Sequence, residues 1–358
     1  MGIQNSRCFE VSLVSESSIK KTEGPFRNYM KKSLNVCYGV SAEGSLFAAG
    51  FEPTIAFGHG FDGCIEDFQT YEEYESTSQK SLQQIYQYTR LVYGIDIGAV
   101  PLFYYRKDSN NPPIPLTSHE FLKIVQQCDD LIVWLSLGFN ENLLLAFLIR
   151  LFTLYSLPLE KIKVKRIESQ FIEGDQHEIL SIAMVSEKEL KKARTSVPLQ
   201  QLEIDLLTQG WDAITSSTPE KMEAYLDIVP TTRFQEGIKD FRKRLPFLKT
   251  GLNRCQTDLL GVYPLDKADV KASWLVGSVM GKNHNDKHLD LVGDAYIFWN
   301  LMQMTNLYAK EPAFIIEQPY TREQRVALTA FGRAILEGKA NWRDENSIDY
   351  YVGGLHIC

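Results

Sequence analysis

Histidine and cysteine are scarce in this chain, with six of each among 358 residues. The cysteines (Cys8, Cys37, Cys64, Cys128, Cys255 and Cys358) are widely scattered, and no CxxC pair occurs. That excludes a zinc cluster or a disulfide framework as the organising device, and a reducing cytoplasm is the simplest expectation. Long apolar runs are missing. The most apolar stretch, Leu143 to Tyr155, is too short to span a bilayer and contains Arg150, so it reads as a buried helix. A signal peptide of ordinary form is missing from the first residues. A basic excess is missing as well: the net charge is −7, and such a field opposes nucleic acid and acidic membranes. Neither a cofactor nor a metal is expected. His284 and His288 have the i, i+4 spacing of metal ligands, but they lie in Gly281-Lys-Asn-His-Asn-Asp-Lys-His, which reads as an exposed loop.

What is present suffices for a folded protein. The apolar fraction is 44%, enough for a real core, and the length suggests two domains. The chain opens Met-Gly-Ile-Gln-Asn-Ser, which fits the N-myristoylation pattern with Gly2 as acceptor and Ser6 in place. Cys8 could carry a second acyl chain, and Lys20, Lys21, Lys31 and Lys32 a basic supplement, because one myristoyl chain binds membranes only marginally. The bland reading of the same residues is a chance match. Alternation over Cys8–Val14 suggests an edge strand.

Leu34–Tyr38 reads as a strand, followed by a turn with Gly39 and Gly44 and a helix starting at Leu46. A strand, a glycine turn and a helix N-terminus can cradle an anion, but this one is neither GxGxxG nor a P-loop. Thr54–Phe57 is a second strand. It runs into Gly58-His59-Gly60-Phe61-Asp62-Gly63, at the strand end where α/β proteins place ligands. His59 with Asp62 could serve as acid and base there, or Asp62 could simply hold an Asx turn. Glu66–Tyr93 reads as a helix with Leu82, Ile85, Tyr86 and Leu91 inward. Ala99–Tyr105 is a strand, and Ser118 caps a helix to Gln127. Asp130–Ser136 is a continuous apolar strand, as in a parallel sheet covered on both faces. Asn140 caps a helix over Glu141–Tyr155. Strands follow at Lys161–Ile167 and Glu178–Met184.

Helices then dominate, with a capping signature at Ser186 and Glu189 and prolines at first helical positions, Pro198 and Pro219. Arg242-Lys243-Arg244 reads as a solvated basic face. Asp294 opens a helix, against whose dipole it is well placed. Near the C-terminus, Val326 and Leu328 form a strand, Thr329 caps a helix, and Gly338 closes it. Gly353-Gly354 inside a strand-like run implies close approach of another backbone, so the tail is expected to dock on the body of the protein.

Four segments occur in order: Thr250-Gly-Leu-Asn-Arg-Cys-Gln-Thr-Asp-Leu-Leu260, Gly293-Asp-Ala-Tyr-Ile-Phe-Trp299, Leu328–Gly338 and Ile348-Asp-Tyr-Tyr-Val-Gly-Gly-Leu-His-Ile357. Together they resemble an uncharacterised bacterial family with two paired domains of unknown function, from about Leu34 to Cys358. In the N-terminal half the chain departs from the family pattern. Asn35, Val40 and the stretch from Trp134 to Asn142 replace titratable groups, and His59 replaces an aspartate.

The resulting expectation is an α/β N-terminal domain with a mostly parallel sheet (34–185), after an extension (1–33). A mainly helical, winged-helix-like C-terminal domain follows (186–358), with its tail returning to the seam. The favoured function is a divergent, non-catalytic binding protein of bacterial origin with a protein partner. A small anionic ligand is a lesser expectation. If Gly2 is used, the protein would be a secreted effector, membrane-associated in a host cell. The first rival is a small-molecule or nucleotide-processing enzyme whose site would gather His59, Asp62, Glu141, Asp294 and His356. The second is a nucleic-acid-binding winged helix, which requires a basic face near Arg242–Arg244 and Arg322–Arg333.

Overall fold

The computed structural model describes residues 33–58, 61–93, 102–106, 114–172, 175–193, 195–228, 232–316 and 324–358. Gly2, Ser6, Cys8, the four N-terminal lysines, His59 and Arg322 lie outside the described residues.

The front lobe comprises β1 (Leu34–Tyr38), α1 (Val40–Ala48), β2 (Thr54–Phe57), α2 (Tyr71–Tyr93), β3 (Phe103–Tyr105), β4 (Ile114–Leu116), α3 (Ser118–Gln127), β5 (Leu131–Leu135), α4 (Phe139–Leu154), β6 (Ile162–Arg166), β7 (Ser169–Ile172), β8 (Asp175–Glu178), α5 (Glu187–Lys191) and β9 (Val197–Pro198). Seven of these strands form one sheet in the order β4-β3-β2-β1-β5-β6-β9. β2, β1, β5 and β6 run parallel, and β3, β4 and β9 are antiparallel additions. Successive side chains of a strand point to opposite faces. Leu34 and Val36 accordingly enter the large core shared with α2, α3 and α4, while Cys37 enters a smaller one with Ala42 and Leu46 of α1. Both faces are covered, which explains the unbroken apolar sequence of β5.

The rear lobe is helix-rich: α6 (Gln201–Ile214), α7 (Pro219–Leu226), α8 (Arg233–Phe241), α9 (Arg254–Gly261), β10 (Val270–Lys271), α10 (Ala272–Asn285), α11 (Asp294–Gln303), β11 (Phe314–Ile316), β12 (Arg325–Leu328), α12 (Ala330–Leu336), α13 (Trp342–Glu345), β13 (Tyr350–Val352) and β14 (Leu355–Ile357). β10, β12 and β11 make an antiparallel sheet with β12 in the middle. α11 is buried from Ala295 to Met302 and packs against α2 of the front lobe. One apolar core therefore runs through both lobes, from Leu34 to Val352.

The tail docks as its glycines require. β13 and β14 form a hairpin with Gly353-Gly354 at its bend. The Gly353 carbonyl accepts from Ile65 N–H at 3.0 Å, and Gly354 N–H donates to Ile214 O at 2.9 Å. A Cβ on Gly353 would overlap the carbonyl of Ile214, and one on Gly354 that of Thr215; Gly353 also has φ of +62°.

Several local expectations are corrected. α1 starts at Val40 rather than Leu46, because Gly39 ends the strand and frees the chain to turn at once. Thr117, not Ser118, caps α3, in a reciprocal box with Glu120. α4 starts at Phe139, with Gly138 and not Asn140 before it. Glu178–Met184 is no strand: the β7–β8 hairpin ends at Glu178 and a 3-10 turn covers Ile182–Met184. Pro198 belongs to β9, and α6 starts at Gln201. His284 lies on α10 rather than in a loop.

Candidate functional site

In an open parallel sheet, ligands bind beyond the carboxyl ends of the strands, where strand order reverses. Here that crevice lies between β1 and β5. Two glycine turns reach it, Gly39 into α1 and Gly138 into α4, and neither helix has a side-chain cap. Each carries an acid in its first turn instead, Glu43 and Glu141. A carboxylate at a helix N-terminus occupies the place an anion would take.

Glu141 is committed to the backbone. Its carboxylate accepts from Ser136 N–H and, at 2.7 Å, from Ile182 N–H. Leu137 N–H donates to Ile179 O at 2.9 Å, and a Cβ on Gly138 would overlap the Leu180 carbonyl. Residues 179–182 thus lie as a strap across the crevice. Burial raises the Glu141 carboxyl to about 7, against the opposing effect of its hydrogen bonds. Glu43 is also buried, and burial raises its pKa although Arg106 Nε donates to both its oxygens at 3.0 Å. Cys37 lies near both acids. Burial, then Glu43 and Glu141, push its thiol well up, the opposite of what a nucleophilic cysteine needs. Asn35 is used in the sheet: its Oδ1 accepts from Trp134 Nε1 at 2.9 Å and its amide donates to Pro53 O at 3.2 Å.

Asp62 acts on Tyr38, at the end of β1, and on Tyr86 of α2. Burial raises the phenols of Tyr38 and Tyr86; Asp62 adds to both, and Asp294 also acts on Tyr86. Asp62 is buried, whereas Asp294 is exposed at the start of α11. Glu141 acts on Cys37, whose side chain points to the other face of the sheet. His356 lies on the surface, with Nε2 2.7 Å from Asp349 Oδ1 and its ring stacked on Tyr351 at 4.7 Å. Of the five candidates, Asp62 and Asp294 share only an influence on the Tyr86 phenol. Glu141 and His356 stand elsewhere, and His59 lies outside the described residues.

The seam between the lobes holds a group that the sequence concealed. Arg244 is buried and donates to both carboxylate oxygens of Asp290, at 2.8 and 2.7 Å, and to Phe61 O at 3.1 Å. Arg254 donates to the Asp290 carbonyl at 2.8 Å. Tyr350 of the tail donates to Arg244 O at 3.0 Å. The three-residue basic run is thus split. Arg242 pairs with Glu223 and Lys243 with Asp240 at the surface, while Arg244 turns inward. Nothing in the local sequence distinguishes Arg244 from its neighbours; its partner is 46 residues away.

A cavity of about 270 Å³ opens beside the strap, between the ends of β5 and β6 and helices α6 and α8. Leu207 and Phe234 line it together with Arg166, Glu168, Glu203 and Arg233. Arg166 is paired with Glu203, and Arg233 with Glu178 and Glu236. Among the described residues, no three His, Cys, Asp or Glu groups are placed to hold a metal ion. His288 Nδ1 instead lies 3.6 Å from Asp240. Compared with known proteins, the chain matches no family model and no curated protein.

Proposed function

We propose that this chain is a non-catalytic binding protein derived from a ligand-binding α/β fold. The observation that carries the reading is the strap. The crevice in which such a sheet would hold a substrate is filled by residues 179–182, and Glu141, the acid best placed to work there, is used in fastening them. A catalytic acid or base must reach the reacting atom, and this one faces backbone N–H groups of its own chain.

A protein partner is the ligand class we favour. Phe247 and Leu248 stand exposed on a loop, Leu248 at 96%. Gly251 N–H donates to Phe247 O at 2.7 Å, and Asn341 donates to the carbonyls of Leu248 and Lys249. A rigidly presented apolar pair is what an interface anchor requires. A small anionic ligand at the start of α1 is less favoured, because Glu43 is there already.

The rear lobe supports a winged-helix ancestry. Its elements run α9, β10, α10, α11, β11, β12, with β12 central, which is the order of that module. A nucleic-acid role has less behind it. α11, the helix that would read a groove, is packed against α2, and Arg325 is paired with Asp269. Within the described residues no helix is long and apolar enough to cross a membrane. Membrane attachment, as a bacterial effector in a host cell, would rest on lipidation of Gly2.

The test pairs two variants. Glu141→Gln should lower the melting temperature without removing partner binding, and Leu248→Asp should do the reverse. A turnover of any small molecule abolished by Glu141→Gln at unchanged melting temperature would reverse the assignment.

A further inference from the structure

A second cavity, of about 320 Å³, lies in the rear lobe where α11, the 308–310 turn, α13 and the start of β13 meet. Trp299, Tyr308, Trp342 and Tyr350 all line it, one from each of these four segments. Aromatic rings carry negative faces and attract cations placed over them. Two carboxylates line the same space, Glu345 and Asp349, the latter with its Oδ1 2.7 Å from His356 Nε2; Lys310 is the basic group among the lining residues. Lys310 Nζ lies 3.4 Å from Glu345 Oε2, so the chain's own ammonium already rests at the rim. Two amides of the wall have partners. Asn346 Oδ1 accepts from Glu311 N–H and its amide donates to Glu311 O, both at 3.0 Å. Gln256 Oε1 accepts from Asn253 N–H at 3.1 Å. α11 also ends here, at Gln303, and the last turn of a helix favours positive charge. The box is braced from behind. Trp342 is 2% exposed with Phe331 beside it at 6.1 Å, and Trp299 meets Tyr350 edge to face at 5.9 Å.

We propose that this cavity binds a small organic cation, an alkylated ammonium held by the four rings and by the carboxylates of Glu345 and Asp349. The site is separate from the strap and independent of the partner reading. Its volume stands at the small end of ligand clefts, and its wall combines negative charge with aromatic rings. Alkylammonium groups, which hydrogen-bond weakly or not at all, are what such a wall discriminates best.

The experiment is calorimetric titration of the full chain with choline and with 3,3-dimethyl-1-butanol, its uncharged isostere. Choline should bind at least about tenfold more tightly, the ratio expected of a desolvated cation–ring contact. Tyr308→Leu and Glu345→Gln alter exposed side chains and should leave the melting temperature unchanged while weakening choline several-fold. Lys310→Ala removes the resident ammonium and should tighten it. Equal affinity for choline and its isostere would overturn the proposal. So would the absence of any choline binding up to about 10 mM, a level beyond even weak millimolar association.

Discussion

Replacing Gly354 by alanine should release the tail. Its added Cβ would overlap the Thr215 carbonyl, and a backbone carbonyl cannot swing aside as a side chain can. The hairpin must lift instead. Two backbone hydrogen bonds go with it, Gly354 N–H to Ile214 O and Ile65 N–H to Gly353 O, at about 1 kcal/mol each. Val352, 1% exposed, loses its cover for about 2 kcal/mol more. The expected loss is therefore about 3–4 kcal/mol as an upper bound, or roughly 4–5 °C in melting temperature for a chain of this size. The assay is thermal unfolding combined with amide hydrogen exchange, with Ile65 as the reporter. Its N–H should exchange much faster in the variant, while the amides of β5 stay protected. Gly277→Ala on α10 is the control, since a Cβ there meets nothing within 4 Å. That change should stabilise by up to about 1 kcal/mol, because alanine suits a helix better than glycine does. A Gly354→Ala protein with unchanged melting temperature and an Ile65 amide still protected would refute the docking argument.

Other outcomes follow from the same geometry. Glu141 has a folded pKa of about 7 against an ordinary 4.5, so the native state holds its proton more tightly than the unfolded chain does. Its contribution is full below pH 4.5, falls as pH rises through 7, and is flat above; it is worth about 3 kcal/mol at most. Urea unfolding across pH 4.5–8 should show that fall in the wild type, and Glu141→Gln should remove it; parallel curves would reject the assignment. Asp290→Asn leaves Arg244 and Arg254 buried without a full counter-charge and should cost about 3–5 kcal/mol. The double change Arg244→Met with Asp290→Leu should be milder than either single change in a denaturation cycle. Thr329→Ala removes the acceptor of Gly332 N–H and should lower stability by about 1 kcal/mol. Co-expression with an N-myristoyltransferase should add one myristoyl group to Gly2; an unmodified intact mass would end the lipidation reading.

Much of the fold was legible because the strongest signals were local and periodic. The β5 run from Leu131 announces a doubly covered strand, and Thr329 with Gly338 brackets a helix. The glycine pair at 353–354 foretold a close backbone approach, since a residue without a side chain in a strand-like run suits little else. What stayed hidden depends on distant partners. Arg244 sits in a basic triplet and differs from its neighbours only because Asp290 waits inside. Glu141 looks like an acid at a helix start, a reasonable catalytic candidate, until Ile182 N–H is seen to face it. The strap itself reads as a strand in the sequence, because Ile179, Leu180 and Ile182 are apolar for burial in a crevice rather than for pairing in a sheet. Helix starts differ from the sequence reading by up to six residues where glycine, having no side-chain oxygen, stands in the position a capping residue normally marks.

The pairing of Ile65 with Gly353 also bears on how the protein is made. On a ribosome the front lobe emerges early, yet one of its amides has no mate until Gly353 has been made. The β13–β14 hairpin should therefore act as the stitch that closes this pairing, and nascent chains halted before it should be easy prey for proteases. Removing residues 349–358 should harm yield far more than substituting the exposed Cys358.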